Sequence, residues 1–320
     1  MIFYVYLDPE VISAAEEAGE YGRQSLIALL RGFLQNCFIA EFDDESVQTA
    51  IREKVDNLPE SFDRKKIMAL LGSLKKNLHF IYSLKPDYSY EKSSLQLVKE
   101  QAQEALIDLV LVGSERDKDE IGVSTATELL SSYQRSNFET NRSELARNGI
   151  TLVPEELDQT VLLDNYFKKA LRYARSVDIC DRMFGRKYGA DYEYTMKVLL
   201  RWLGENLSEP ERCRITFHCE EPDEQSRSLD SMKRDLSGCK TQGLKDVTMR
   251  LNLYESPHSS MHLPHDRFII TDQIAIGIPR GMGFLNPGTR KNRDLTLDYK
   301  NKGDVERLLN SYVVEAQFDL

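Results

Sequence analysis

The chain has 320 residues, of which 41% are hydrophobic and 29% charged, and a formal net charge of −10. That length suffices for two units that each bury a core, and no apolar run reaches the length of a membrane span. The acidic balance disfavours a protein that coats nucleic acid non-specifically, because neutralising phosphates takes Lys and Arg in excess, and still allows a local basic site.

The N-terminus lacks a basic flank and reads as a strand, Ile2–Leu7, rather than as a signal peptide. Asp8-Pro9 breaks that run, and residues 11–34 carry a helical pattern that ends in a dense apolar face of Leu26, Ile27, Leu29, Leu30, Phe33 and Leu34. A strand is expected at 37–42, helices at 45–55 and 64–74, and a strand at 79–84 stopped by Pro86. A helix near 93–104 and a buried strand at 106–112 follow. The charged stretch 113–120 reads as an exposed loop, and 124–148 as one helix stopped by Gly149.

A domain boundary is placed there, with a mixed, helix-rich α/β domain at 1–150 that serves interaction or regulation, and a second domain at 151–320. Carboxylates at or near the first domain's strands (Asp8, Glu41, Asp43, Asp44, Asp108 and Glu115) are of the type that holds a metal in nucleases. They are equally common at strand ends of any α/β domain. Five cysteines (Cys37, Cys180, Cys213, Cys219 and Cys239), odd in number and without CxxC spacing, fit reduced thiols and a cytoplasmic chain without structural zinc.

In the second half, Leu163, Phe167, Ala170, Leu171 and Ala174 fall three and four apart on a helix that leads into a strand at 177–180. A turn at 181–189, a helix at 192–203, a strand at 214–219, a helix at 225–236 and a strand at 247–253 complete a β-α-β-α-β order. Helical crossovers of that length predict a mostly parallel sheet, with ligands beyond its strand ends.

The last element begins Pro264-His265-Asp266-Arg267-Phe268-Ile269-Ile270-Thr271-Asp272. With period two, His265 and Arg267 share one strand face. An imidazole can attack phosphorus or shuttle a proton, and a guanidinium can hold two phosphate oxygens. Asp272 could orient an imidazole. Arg182, Arg186 and Lys187 after one strand, together with Arg280, Arg290, Lys291 and Arg293 after the motif, form either a phosphate grip or ordinary solvated loop charge. The run His258, His262, His265 is interrupted by prolines and does not read as a metal site. His218 reads as a core residue.

The spacing His265-x-Arg267-x4-Asp272 resembles the His-x-Lys-x4-Asp signature of the phospholipase D superfamily, with Arg in place of Lys. The likeness covers the C-terminal half, and the form His-Asp-Arg followed by Arg280-Gly281 is most similar to the phospholipase D-like C-terminal domain of MIT-domain proteins. It implies a phosphodiesterase that needs no metal and no cofactor. With a single motif, the active form implied is a homodimer, in which His265 of each subunit serves as nucleophile or general acid. Arg267 would grip phosphate oxygens and Asp272 would hold a His.

Nucleic acid is the implied substrate, bacterial antiviral defence the implied setting, and residues 1–150 the surface for a protein partner, with no membrane insertion. In the MIT-domain subgroup the same domain is a binding fold. The alternative is therefore a non-catalytic module that binds a phosphate ligand or a protein.

Overall fold

A computed structural model describes residues 2–85, 92–121, 126–152, 158–254, 263, 267–279, 281–286, 295–300 and 302–320. The chain divides into two compact units, Met1–Arg147 and Asn148–Leu320. Among the described residues no helix is long and apolar enough to cross a membrane.

The first unit is built on a five-stranded sheet in the order β3-β2-β1-β4-β5, formed by β1 (Phe3–Leu7), β2 (Cys37–Phe42), β3 (Phe80–Leu84), β4 (Leu109–Val112) and β5 (Thr127–Leu129). Every pairing is parallel. All residues of β1, β2 and β4 are buried, as strands covered by helices on both faces must be. The expected 11–34 helix is two helices, α1 (Glu10–Glu17) and α2 (Gly19–Asn36). They part at Gly19, which takes φ +67°, and a Cβ on Gly22 would fall 2.2 Å from the Ala15 carbonyl oxygen. Glycine there permits a close turn between two apolar helices.

Helices α3 (Ser46–Asp56), α4 (Phe62–Lys76) and α5 (Ser94–Gln101) match the expected periodicity, and α5 starts on a capping box between Ser93 and Gln96. Two expectations are corrected. Residues 115–121 form a helix, α6 (Glu115–Ile121), not a loop. Its charge hides the local start signal, in which Asp117 N–H donates to Ser114 Oγ, and Ile121 is its buried anchor.

The expected single helix at 124–148 is instead β5, α7 (Leu130–Tyr133) and α8 (Asn137–Asn148). Pairing of Thr127–Leu129 with β4 overrides helical propensity. Arg142, 3% exposed, then ties α8 to α2. It pairs with Glu139 at 2.7 Å and donates to the Gly32 carbonyl and to Asn36.

The second unit holds an eight-stranded sheet, β13-β9-β8-β7-β10-β11-β12-β6. Its strands are β6 (Ile150–Leu152), β7 (Ser176–Cys180), β8 (Arg214–Glu220), β9 (Thr248–Tyr254), β10 (Phe268–Thr271), β11 (Ala275–Gly277), β12 (Leu295–Lys300) and β13 (Val314–Asp319). The chain is α/β, as expected, and β7, β8 and β9 run parallel. The sheet as a whole is mixed, because β10, β11, β12 and β6 pair antiparallel on one side and β13 on the other. Only three residues join β10 to β11, too few for a parallel crossover.

Among the described residues the unit's α-helices are α9 (Gln159–Tyr166), α10 (Lys168–Leu171), α11 (Arg182–Arg186), α12 (Ala190–Asn206), α13 (Leu229–Gly243) and α14 (Lys302–Leu309). Val305 and Leu309 of α14 pack with Cys180, Tyr254, Phe268 and Ile270. Since β6 belongs to this unit, a boundary at 150/151 would split that strand.

Candidate functional site at the strand ends

Strand β7 ends at Cys180, and the next residue, Asp181, caps α11 by accepting Met183 N–H at 2.9 Å. The antiparallel register of β10 against β7, Phe268 opposite Cys180, brings Arg267 alongside. Arg267 Nε donates to Asp181 Oδ1 at 3.3 Å and its Nη1 to the Pro279 carbonyl at 2.6 Å. Met282 N–H donates to Asp181 Oδ2 at 3.1 Å. Gly281, with φ +79°, closes the site, and a Cβ there would lie 2.9 Å from Arg267 and 3.0 Å from Asp181 Oδ2.

The Asp181 side chain has no exposure and that of Arg267 has 20%. Burial pushes the Asp181 carboxyl above the usual carboxylate range, and the Arg267 guanidinium and two backbone N–H groups offset only part of that. Among the described residues Arg267 engages two of its five N–H groups. In α11, directly after Asp181, the Nε atoms of Arg182 and Arg186 are shielded from solvent and have no partner among the described residues. Donors that are already desolvated are costly to leave without an acceptor.

Of the residues singled out in the sequence, Arg267 and Arg182 flank Asp181. His265, Asp266, Arg280, Arg290, Lys291 and Arg293 lie outside the described residues, as do His258 and His262. Asp272 is elsewhere. Its carboxylate accepts Arg175 N–H at 2.9 Å, and its carbonyl accepts Lys302 Nζ at 3.0 Å. Strand β10 separates Arg267 from Asp272 by on the order of 15 Å, which places them at opposite ends of that strand. Asp272 thus fastens the start of β7, and the carboxylate that meets the motif's arginine is Asp181. An Asp closing a strand before Arg182-Met183-Phe184-Gly185 was the available signal, but which residue it would meet was not readable.

A second polar group was missed. His218 on β8 has Nε2 3.1 Å from Asp178 Oδ1 of β7 and Nδ1 2.7 Å from Tyr254 Oη of β9. With Asp178 accepting, Nε2 carries the ring proton and Nδ1 accepts from the tyrosine, a chain able to pass a proton. Its signal was the alternation of Thr216, His218 and Glu220 along β8.

The carboxylates of the first unit do not assemble. Glu41 accepts N–H groups from Phe42, Val47 and Gln48, at the start of α3. Asp8 accepts Glu10 N–H at the start of α1, and Asp108 accepts Tyr4 N–H at the opposite end of the sheet. Burial raises the pKa of both Asp8 and Glu41. Among the described residues no group of three or more His, Cys, Asp and Glu could hold a metal ion.

No protein-family model, curated protein or solved structure matches the chain. The likeness to the phospholipase D superfamily therefore rests on its own residues.

Proposed function

We propose that the C-terminal unit takes a phosphodiester at the edge where β7, β8 and β9 end and β10 begins, and that the chain is a phospholipase D-like phosphodiesterase acting on nucleic acid. The observation that carries this reading is the Arg267 guanidinium, fixed by Asp181 and the Pro279 carbonyl with other N–H groups to spare, while the Nε of Arg182, one residue after Asp181, has no partner among the described residues. Two oxygens of a phosphate suit such a fork. His265, two residues upstream, supplies the imidazole. One His265 attacks phosphorus, the His265 of a second subunit protonates the leaving oxygen, and water then cleaves the phosphohistidine. The chain acts as a homodimer without a metal, with antiviral defence as its setting and residues 1–150 as the surface for a protein partner.

A second reading, a phosphate-binding module without turnover, is favoured by one observation. The Asp181–Arg267 pair, with Asp181 fully buried and Arg267 20% exposed, ties β7 to β10, so it can serve as a scaffold with no chemistry. Wild-type protein and the His265→Ala and Arg182→Ala variants separate the two when assayed in EDTA on single- and double-stranded DNA and RNA. Cleavage by the wild type that His265→Ala abolishes supports the enzyme. Binding that Arg182→Ala weakens, with no cleavage by any form, supports the module. Neither cleavage nor binding removes both.

A further inference from the structure

The first unit contains a pocket of about 340 Å³ between α3, α4 and the start of β3, at the lower end of the range typical of small-molecule sites. Its apolar wall is Ile51, Met68, Leu71 and Phe80, and Glu45, Gln48, Arg52 and Lys75 supply its polar atoms. The charges are already matched. Glu45 accepts Lys75 Nζ at 3.2 Å and Tyr82 Oη at 2.9 Å, and Arg52 faces Asp56 at 3.7 Å. An occupant gains nothing from carrying charge.

Two further features concern the pocket itself. Gly72 sits in the interior of the 15-residue helix α4, where glycine is disfavoured relative to alanine. Its φ is not positive, and a Cβ there would meet no atom within 4 Å, so neither conformation nor close approach calls for glycine. Gly72 is exposed and lines the pocket, so a long side chain at this position would compete for its space. The second feature is Oε1 of Gln48, which is shielded from solvent and accepts no hydrogen bond among the described residues. Gln48 lines the pocket, and a buried acceptor without a donor is costly.

We propose that this pocket binds a small, uncharged, amphipathic molecule whose apolar body lies on Met68 and Leu71 and whose N–H or O–H group donates to Gln48 Oε1. The site is independent of the phosphodiester site of the second unit, and its test has no activity readout in common with it.

Indole offers an N–H donor on an apolar body, and benzofuran is its near-isostere without the donor. Each is titrated into the full chain, with the methyl resonances of Ile, Leu and Met observed by NMR. The expected result is saturable shifts at Ile51, Met68 and Leu71, with indole binding about five-fold more tightly than benzofuran, the discrimination one matched neutral hydrogen bond supplies. Gly72→Leu abolishes binding of both while the protein stays folded. If that variant does not fold, Gly72→Ala, which adds one methyl and favours the helix, gives partial loss.

Gln48 also hydrogen-bonds Glu41, so Gln48→Met is read as a ratio. Loss of the indole preference with benzofuran binding retained supports the donor pairing. Absence of saturable shifts with either probe, or indole binding undiminished by filling at Gly72, overturns the site. Equal affinity for the two probes in the wild type overturns the assignment of Gln48.

Discussion

Asp181 and Arg267 are partners whose value lies in each other's presence. Removing Arg267 leaves the fully buried Asp181 uncompensated, which typically costs about 3–5 kcal/mol. Asp181→Ala, which also removes the cap of α11 and the acceptor of Met282 N–H, is expected to lower the stability of the second unit in urea unfolding. Arg267→Met should do the same near neutral pH, with a deficit that shrinks on acidification. The sign follows from the Asp181 carboxyl, whose folded pKa is already raised by burial and rises further without the guanidinium. The penalty of a buried charge applies above the folded pKa and disappears as pH falls toward the unfolded value. A deficit that does not depend on pH would show that Asp181 is not the group left unpaired.

His79 behaves in the opposite sense. Burial lowers its pKa, with Nδ1 2.7 Å from the Cys37 carbonyl oxygen and the ring stacked 4.7 Å from Phe38. The unfolded chain binds its proton more readily, so the first unit is at full stability above the ordinary histidine pKa of about 6.5 and loses stability as pH falls below it. Replacing His79 with Phe keeps the stack and should flatten the change in thermal midpoint between pH 7.5 and 5.5. An unaltered slope would assign the titration elsewhere.

Among the elements, α11 is placed by a glycine. A Cβ on Gly185 would lie 1.8 Å from the Glu220 carbonyl oxygen and 2.7 Å from Cys219 Sγ, so Gly185→Ala must push α11 off β8. That shift displaces Arg182 and Arg186 together with the Asp181 cap. The expected outcome is a destabilisation of about 1–3 kcal/mol, as for other overpacked cores, with phosphate binding lost beyond what Arg182→Ala removes. Helix α5 offers the contrasting case of a local signal. Loss of the Ser93 hydroxyl, which accepts Gln96 N–H at 3.2 Å, should cost about 1 kcal/mol in urea unfolding without reaching either site.

These elements also show what was legible. The apolar periodicity of α4 and α12 and the unbroken apolar strands β1 and β4 were readable because each pattern is contained in neighbouring residues. The short strand β5 and helix α6 were not. The first is decided by a sheet edge contributed from β4, and the second has charged residues at most positions and one buried anchor.

For the whole molecule, the division between Arg147 and Asn148 sets how the chain can be separated. Pieces covering 1–147 and 148–320 should each unfold cooperatively. A C-terminal piece that begins at 151 loses Ile150 and its place opposite Leu297 in the β6–β12 pair. It should melt a few degrees lower, the shift that about 1 kcal/mol produces at this size. Equal midpoints for the two C-terminal pieces would show that Ile150 contributes nothing to the β6–β12 pair.

By itself the sequence determined the α/β class, most of the repeating elements and the presence of an arginine at the head of β10. Tertiary structure alone decided that the sheet of the second unit is mixed, that Arg267 meets Asp181 across 86 residues of chain and that Asp272 fastens the start of β7 instead. The reason is physical. Spacing along a chain specifies which residues share a face, whereas the partner across a strand depends on long-range register, which is settled by the packing of the entire sheet.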